Sequence, residues 1–211
     1  MAPALLVIAK APVAGRVKTR LTPPFTPDHA AALARAAIED TLASVQAVDR
    51  DVRRVLVLDG RPGPWVPYGF EIVPQRGDGL AARLAAAFED VGGPAFLVGM
   101  DTPQVTPALL DAGLGAVLAG EAAFGAALDG GYWGIGLPAP DGRAFDGVPM
   151  SAGDTGAVQR ARLAILGLRT RVLPPLRDID TVEDARAVAL EAPGSRFAAA
   201  LAEIGPGALA A

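Results

Sequence analysis

Apolar residues fall along this chain in two alternating textures. Short, nearly unbroken runs occupy Ala4–Ala9, Val52–Leu58, Phe70–Val73, Ala95–Met100, Ala122–Leu128, Tyr132–Leu137 and Arg171–Leu173. Longer Ala/Leu-rich stretches with spaced polar positions occupy Asp28–Val48, Leu80–Val91, Pro107–Leu118, Thr155–Leu166 and Val182–Leu190. The short runs predict strands, and Ala95–Met100 one buried on both faces, as in a parallel sheet under helices. The longer stretches predict those helices, and their alternation with strands predicts right-handed βαβ units. One place breaks the alternation. Around Asp129, Gly130 and Gly131 two strand runs meet with no helix between them, so an antiparallel strand is expected there. No repeat or linker divides the 211 residues. One α/β domain over 1–211 is expected. The tail from Pro193 is Ala/Gly-rich and predicts a peripheral helix or a frayed end.

Composition removes several kinds of chemistry. Hydrophobic residues make up 51% and charged residues 20%, the balance of an ordinary soluble globular protein. A net charge of -4 argues against a general nucleic-acid binder. The absence of cysteine excludes disulfides, zinc thiolate sites and a cysteine nucleophile. The first apolar run has no basic segment before it and stops at Lys10, unlike a signal peptide, and no run is long enough to span a bilayer. A cytoplasmic protein without nucleic-acid or membrane partners is expected. The sole histidine, His29, opens the first helix and reads as a surface residue, which leaves no Ser-His-Asp triad unless it serves. Gly134 and Gly136 have dinucleotide-type spacing but sit inside a strand run. The chemistry is left to carboxylates, cations and a metal.

Four segments carry such groups. The first follows the first strand, where Lys10, Arg16, Lys18 and Arg20 surround Gly15. Cations balance phosphate charge and glycine allows close backbone approach, so the loop reads as a phosphate holder or as a solvated basic loop. Arg16 and Val17 separate Gly15 from Lys18 and Thr19, so it is no Walker loop. The second is Asp101, which ends the run Ala95–Met100 before Pro103. A carboxylate there faces the crevice where open α/β sheets bind ligands, or it caps the helix that begins near Thr106. The third is Asp129, with Gly130, Gly131, Tyr132 and Trp133 after it, which reads as a pocket or as a hairpin turn. In the fourth, Asp178 and Asp180 precede Thr181 and Asp184. Thr181 and Asp184 resemble a capping box, so Asp180 is either a ligand or part of a helix start.

Taken in order, these segments resemble a known family. Lys10, Pro12, Gly15, Lys18, Thr19, Arg20 and Leu21 are followed by Gly99, Asp101, Thr102 and Pro103, then by Asp129, Gly130, Gly131 and Tyr132, then by Asp178, Asp180, Thr181 and Asp184. The set is similar to GT-A superfamily proteins of the DUF2064 type, inferred nucleotide-diphospho-sugar transferases, from Lys10 to about Leu190. More distantly, the first loop and Asp101 resemble guanylyltransferases for molybdenum cofactor and for phospholactate. The resemblance implies a GT-A fold, a three-layer α/β/α sandwich on a Rossmann-like sheet. It also implies a divalent metal, Mg²⁺ or Mn²⁺, near Asp101, with Asp180 as a candidate second ligand. Ala9, Lys10, Gly15, Arg16, Lys18, Arg20, Arg76, Gly77 and Gly79 are then expected to hold the nucleotide and its phosphates. Asp129 is expected to act as a base or to orient the acceptor, in a pocket with Gly130, Gly131, Tyr132, Trp133, Met150 and Ser151. Gln104, Ala82 and Met150 depart from the family pattern, which expects an acidic residue, a Glu and a Trp respectively.

The expected partners are a nucleotide or nucleotide sugar and a small-molecule acceptor. The leading expectation is glycosyl transfer from a nucleotide-diphospho-sugar. Its alternatives are nucleotidyl transfer with pyrophosphate release, and nucleotide binding without turnover.

Overall fold

The computed structural model describes residues 2–205. Seven strands form one sheet: β1 (Ala4–Lys10), β2 (Arg53–Asp59), β3 (Glu71–Pro74), β4 (Ala95–Gly99), β5 (Ala122–Ala127), β6 (Tyr132–Leu137) and β7 (Thr170–Leu176). Their order across the sheet is β3-β2-β1-β4-β6-β5-β7. Only β6 runs antiparallel to its neighbours β4 and β5. The tight Asp129–Gly131 connection cannot turn a strand back parallel, which is why the exception falls there.

Among the described residues there are six α-helices, α1 (Pro27–Gln46), α2 (Gly79–Val91), α3 (Pro107–Leu118), α4 (Thr155–Ile165), α5 (Val182–Glu191) and α6 (Arg196–Ile204), of which the first four cover the sheet. Alternation along β1 divides the core. Leu5, Val7 and Ala9 pack with Ile38 and Leu42 of α1 and Leu110 and Leu114 of α3. Ala4 and Leu6 pack on the other face with Leu84 and Phe88 of α2 and Leu163 of α4. A third cluster lies outside α1, where Ala30, Leu33 and Ala37 meet Ala185 and Val188 of α5 and Phe197 and Leu201 of α6. The arrangement is the expected α/β/α sandwich with a mostly parallel sheet, enlarged by α5 and α6. No helix of the described residues is long and apolar enough to cross a membrane.

Local chemistry sets the element ends. Pro27 and Pro107 occupy first helical turns, and Thr26 and Thr106 cap those helices by accepting from the backbone N–H of His29 (3.2 Å) and Leu109 (3.3 Å). His29, expected at the surface, is half-buried at this helix start. The last strand runs past the expected Leu173 to Leu176, through Pro174 and Pro175. Proline is tolerated because β7 is an edge strand, with ladder bonds on one side only. The expected peripheral helix is α6, and its start is fastened by buried Asp40, whose carboxylate accepts from the N–H groups of Arg196 (3.0 Å) and Phe197 (2.9 Å). The rest of the tail, 206–211, lies outside the described residues.

The glycines of the central strands make room for aromatics. A Cβ on Gly134 would lie 2.7 Å from the Phe96 ring, and one on Gly125 only 2.2 Å from the Trp133 indole. Trp133 is buried, meets Phe96 edge-on and donates its indole N–H to the Pro174 carbonyl at 3.0 Å. Gly125→Ala should therefore overpack the core at a cost of about 1–3 kcal/mol. The melting temperature, read by circular dichroism, should fall by roughly 2–10 °C. An unchanged melting temperature would show that the indole can move aside.

Candidate functional site

Strand register brings the charged residues together. In the sheet β1 lies between β2 and β4, so the chain leaves β1 toward one side for β2 and later returns to its other side for β4. Such a switch point opens a crevice at the carboxyl ends of the strands. A cleft of about 920 Å³ lies at that point. Asp101 enters it two residues past Gly99, which pairs with Ile8 of β1. On the far side Ala127 of β5 pairs with Leu176 of β7. Asp129 and Asp178 each follow that pair by two residues, so register sets them side by side. Carboxylate oxygens of Asp129, Asp178 and Asp180 all lie within 4.8 Å of one another.

The contacts of each of these carboxylates are specific. Thr106 caps α3, which leaves the Asp101 carboxylate in the cleft. The Thr181–Asp184 capping box forms as expected, with Asp184 N–H donating to the Thr181 hydroxyl at 3.2 Å and Thr181 N–H to the Asp184 carboxylate at 3.0 Å. The box uses Asp184, so Asp180 stays outside it and lines the cleft. Asp129 builds its turn and also belongs to the carboxylate group. Its Oδ1 accepts from Gly131 N–H at 2.8 Å, while Gly130 takes φ 93° and packs so tightly that a Cβ would lie 1.9 Å from the Gly153 carbonyl oxygen.

The first loop faces these carboxylates. Lys18 has a left-handed backbone, φ 49°, and its ammonium sits 2.6 Å from Asp101 Oδ1. The same ammonium donates to the Ile179 carbonyl. Arg20 pairs with Asp180 at 2.7 Å. Lys10 and Arg16 are exposed, line the cleft and have no carboxylate within 4.0 Å among the described residues. Of the four expected phosphate cations, two are thus already paired and two are free.

Other expected residues divide in the same way. Ala9, Gly79, Gly131, Tyr132, Met150 and Ser151 line the cleft. Trp133 also reaches its wall, but its ring belongs to the core. Gly15, Gly77 and Gly130 are not part of the lining, although Gly15 and Gly77 take positive φ. Arg76 is held on α2 by Asp90 (2.7 Å) and Glu89 (3.4 Å), away from the cleft. Gln104 donates to the Arg177 carbonyl at 2.5 Å and so ties the segment after β4 to the end of β7. Ala82 packs against Gly77, where a Cβ on the glycine would lie 2.8 Å away. Burial raises the pKa of the Tyr132 phenol, and its hydroxyl, 3.3 Å from Gln159 Oε1, stays a neutral donor.

The residues are not all those the motifs single out. Gln75 and Arg83 also line the cleft. Gln75 donates to the Ala9 (2.8 Å) and Val57 (3.1 Å) carbonyls, while Arg83 is held by Asp59 (2.9 Å) and Gln75 (3.1 Å). Asp178 is the larger omission. Burial, then the charges of Asp129, Asp180 and Asp101, push its carboxyl up to about 6. Its place beside Asp180 in the fourth motif was the available signal.

The donor set suits a hard divalent cation. Three carboxylates supply only oxygen, the preferred donor of Mg²⁺ and Mn²⁺. At metal–oxygen distances of about 2.1 Å, opposite ligands are about 4.2 Å apart, within the spread of this group. Asp101 acts on Asp178 through charge but falls outside the three.

Comparison with known proteins agrees with this architecture. A family profile described as an uncharacterized protein conserved in bacteria, DUF2064, matches residues 29–152. The chain belongs to the DUF2064 family. A search of curated proteins gives no sequence match. Among solved structures, a candidate nucleotide-diphospho-sugar transferase from Desulfovibrio desulfuricans G20 is 27% identical to this DUF2064 protein, with a TM-score of 0.84 over 99% of this chain and 97% of that one. CMP:2-keto-3-deoxy-manno-octonic acid synthetase in complex with CTP is 14% identical, with a TM-score of 0.56 over 92% and 99%. Rv0371c of Mycobacterium tuberculosis H37Rv in complex with manganese is 22% identical, with a TM-score of 0.52 over 89% and 97%. The fold is therefore one shared by nucleotide-sugar and nucleotidyl transferases.

Asp178 gives this DUF2064 protein a measurable pH signature. Its folded pKa lies above the usual value of 3.8, so its ionised form opposes folding. Without metal, that penalty is absent below about pH 4, grows as pH rises and is complete above about pH 6. Asp178→Asn should raise the metal-free melting temperature at pH 7.5, with the gap closing near pH 4. The same variant should lose stabilisation by Mn²⁺, whose binding to wild type should weaken below about pH 6, where Asp178 holds its proton. A variant that melts below wild type without metal at pH 7.5 would contradict this account.

Proposed function

We propose that this protein transfers a glycosyl group from a nucleotide-diphospho-sugar to a small-molecule acceptor, with Mg²⁺ or Mn²⁺. The observation that carries the reading is the presence, in one cleft, of two loop cations without a carboxylate partner among the described residues and of a group of carboxylates. Lys10 and Arg16 would balance the charge of a diphosphate there, and the carboxylates would hold a divalent cation. The cleft volume of about 920 Å³ suits a nucleotide sugar with an acceptor beside it. The name of the Desulfovibrio desulfuricans protein supports the same donor class.

The chain's own residues take the following parts. Lys10 and Arg16 pair with the diphosphate and hold it at the end of β1. Gly79 and the end of β1 give the nucleoside close access to backbone. Asp178 and Asp180 would hold the cation. A cation held there would supply Lewis-acid stabilisation of the negative charge that develops on the leaving nucleoside diphosphate. Asp129 sits on the turn leading into Tyr132, opposite Met150 and Ser151, and its outer oxygen accepts the hydrogen of the acceptor hydroxyl. The acceptor oxygen bonds to the anomeric carbon, the bond from that carbon to the diphosphate breaks, and the proton passes to Asp129.

Nucleotidyl transfer is the second reading, favoured by the number of cations around the first loop, which also suits a triphosphate. The product separates the two. Incubation with nucleotide sugars and Mn²⁺ should release nucleoside diphosphate. Release of pyrophosphate from a nucleoside triphosphate and a phosphorylated acceptor would replace the first reading with the second. Tight nucleotide binding with neither product would leave a binding protein.

Two substitutions test the assigned roles. Arg16→Ala should weaken a nucleoside diphosphate by on the order of tenfold and leave the bare nucleoside nearly unchanged, because a charge-assisted bond to phosphate is lost. Equal losses would make the loop structural. Asp129→Asn can keep the bond from Gly131 N–H through its amide oxygen, so the melting temperature should hold. Turnover should fall by roughly 10²-fold or more. Full turnover would confine Asp129 to its turn.

A further inference from the structure

Buried polar side chains are few among the described residues, and two of them lie one turn apart on α4, Thr155 and Gln159. A buried polar group is costly unless it is matched, so each has partners. The Thr155 hydroxyl accepts from Ala152 N–H at 3.0 Å and donates to the Pro149 carbonyl at 2.6 Å, which fixes the segment carrying Met150 and Ser151. Gln159 Nε2 donates to the Ala144 carbonyl at 2.7 Å. A carbonyl only accepts, so this bond settles which end of the amide is which and leaves Oε1 facing the Tyr132 hydroxyl at 3.3 Å. Oε1 also only accepts. The single hydrogen of the phenol is therefore directed at Gln159, and burial raises the phenol pKa, which keeps that hydrogen in place. Met150 Sδ, 3.8 Å from the same hydroxyl, is the weaker acceptor.

We propose that Gln159 is a positioning residue: by taking the hydrogen of Tyr132 it leaves the phenol oxygen to act toward the cleft as an acceptor, which selects a neutral hydroxyl on the acceptor substrate and rejects a phosphate or carboxylate there. The inference deepens the glycosyl-transfer reading above and rests on it for the role of that substrate. Gln159 is fully buried, so it acts only through Tyr132, which lines the cleft. Charge along the same wall points the same way. The cations of the lining come from β1, the first loop and α2. The lining residues within 127–133 and 150–155 include no cation, and their one charged side chain is Asp129. A phosphate beside Tyr132 would meet an oxygen lone pair and the Asp129 charge, with no cation from these segments to offset either. A sugar or polyol hydroxyl donates its hydrogen to the phenol oxygen and brings no charge to be repelled.

Two measurements test the proposal. The first reads the hydrogen itself. The chain has two tyrosines, and Tyr68, fully exposed, is the internal reference for Tyr132. With carbon-13 at the tyrosine Cζ and an equal mixture of light and heavy water, a hydroxyl hydrogen held in a bond exchanges slowly and gives two lines, one for each isotope. A free one gives a single averaged line. Tyr132 should give two lines and Tyr68 one. Gln159→Met should merge the Tyr132 pair, and Gln159→Glu, which keeps an acceptor oxygen, should leave it split. A pair unchanged by Gln159→Met would overturn the proposal. Should that variant not fold, a split line in wild type upholds the proposal and a single line overturns it. The second measurement reads selection. Wild type receives nucleotide sugars, Mn²⁺ and two acceptor sets: D-glucose, D-mannose and glycerol, or the monophosphate esters of the same three. The neutral set should be glycosylated in preference, and preference for the esters would overturn the proposal. In Tyr132→Phe the KM for the neutral acceptor should rise by about 3–10-fold, the loss of one hydrogen bond, with kcat and the nucleotide-sugar KM near wild type. A merely structural role would lower kcat and melting temperature instead. Gln159→Met releases the phenol hydrogen and should shrink the preference for neutral acceptors by on the order of tenfold. If neither set is glycosylated, the glycosyl-transfer reading fails, and the same sets are compared as ligands by saturation-transfer NMR over saturating inorganic pyrophosphate and Mn²⁺, which occupy the loop cations. A neutral preference that disappears in Tyr132→Phe then supports the selection by Tyr132, and no preference overturns it.

Discussion

Four carboxylates gathered at one edge of a sheet repel one another, and the arrangement of that edge follows from how the repulsion is offset. Asp101 and Asp180 are each matched by a cation from the first loop. Asp129 gains a backbone donor from Gly131. Among the described residues Asp178 has no side-chain partner, and it is the one whose carboxyl is pushed up, to about 6. The distribution is economical for a site that binds a cation. Were every carboxylate paired, a metal would first have to break an ion pair. Were none paired, the metal-free protein would carry the full repulsion. A partly compensated group stays folded without metal and retains enough negative charge to bind it.

The fold was legible because its signals are local. Strands buried on both faces must be apolar throughout, as β1 and β4 are, and each of the seven runs became a strand, although the edge strands β3 and β7 are largely exposed. The break in the βαβ rhythm at Asp129 was equally visible, because a two-glycine connection leaves no length for a crossover. Shifts came only at ends. The run read from Phe70 is strand from Glu71 to Pro74, and the run read to Leu173 continues through two prolines that an edge strand tolerates.

The site was legible only in part, because motifs reveal which residues approach a cleft and not which of them meet there. The first loop was read as a phosphate holder, with Lys18 and Arg20 joined by Lys10 or Arg16. Lys18 and Arg20 face carboxylates 83 and 160 residues onward in sequence, pairings that no spacing rule exposes. Arg76 opens the turn that carries Gly77 and Gly79, as expected of a phosphate ligand, yet Asp90 and Glu89 in the last turn of α2 hold it elsewhere. Asp178 was passed over for Asp180 because spacing cannot say which of two nearby aspartates is the more buried. Parallel register could have said so in retrospect. With Ala127 opposite Leu176, the residue opposite Asp129 is Asp178.

The third hydrophobic cluster shows why this edge holds its shape. Leu21 and Phe25, which end the first loop, pack in it with Ile179, whose backbone bonds to both Lys18 and Asp101. The same cluster contains the inner faces of α5 and α6, and α6 is fastened to α1 by the buried carboxylate of Asp40. The two outer helices therefore contribute to the site without a side chain of their own in the cleft. They hold Ile179, Ile179 holds Lys18 and the backbone of Asp101, and its two flanking aspartates are placed as a consequence. Packing in the carboxyl-terminal third thus fixes the spacing of carboxylates that β1 and β4 alone would leave open.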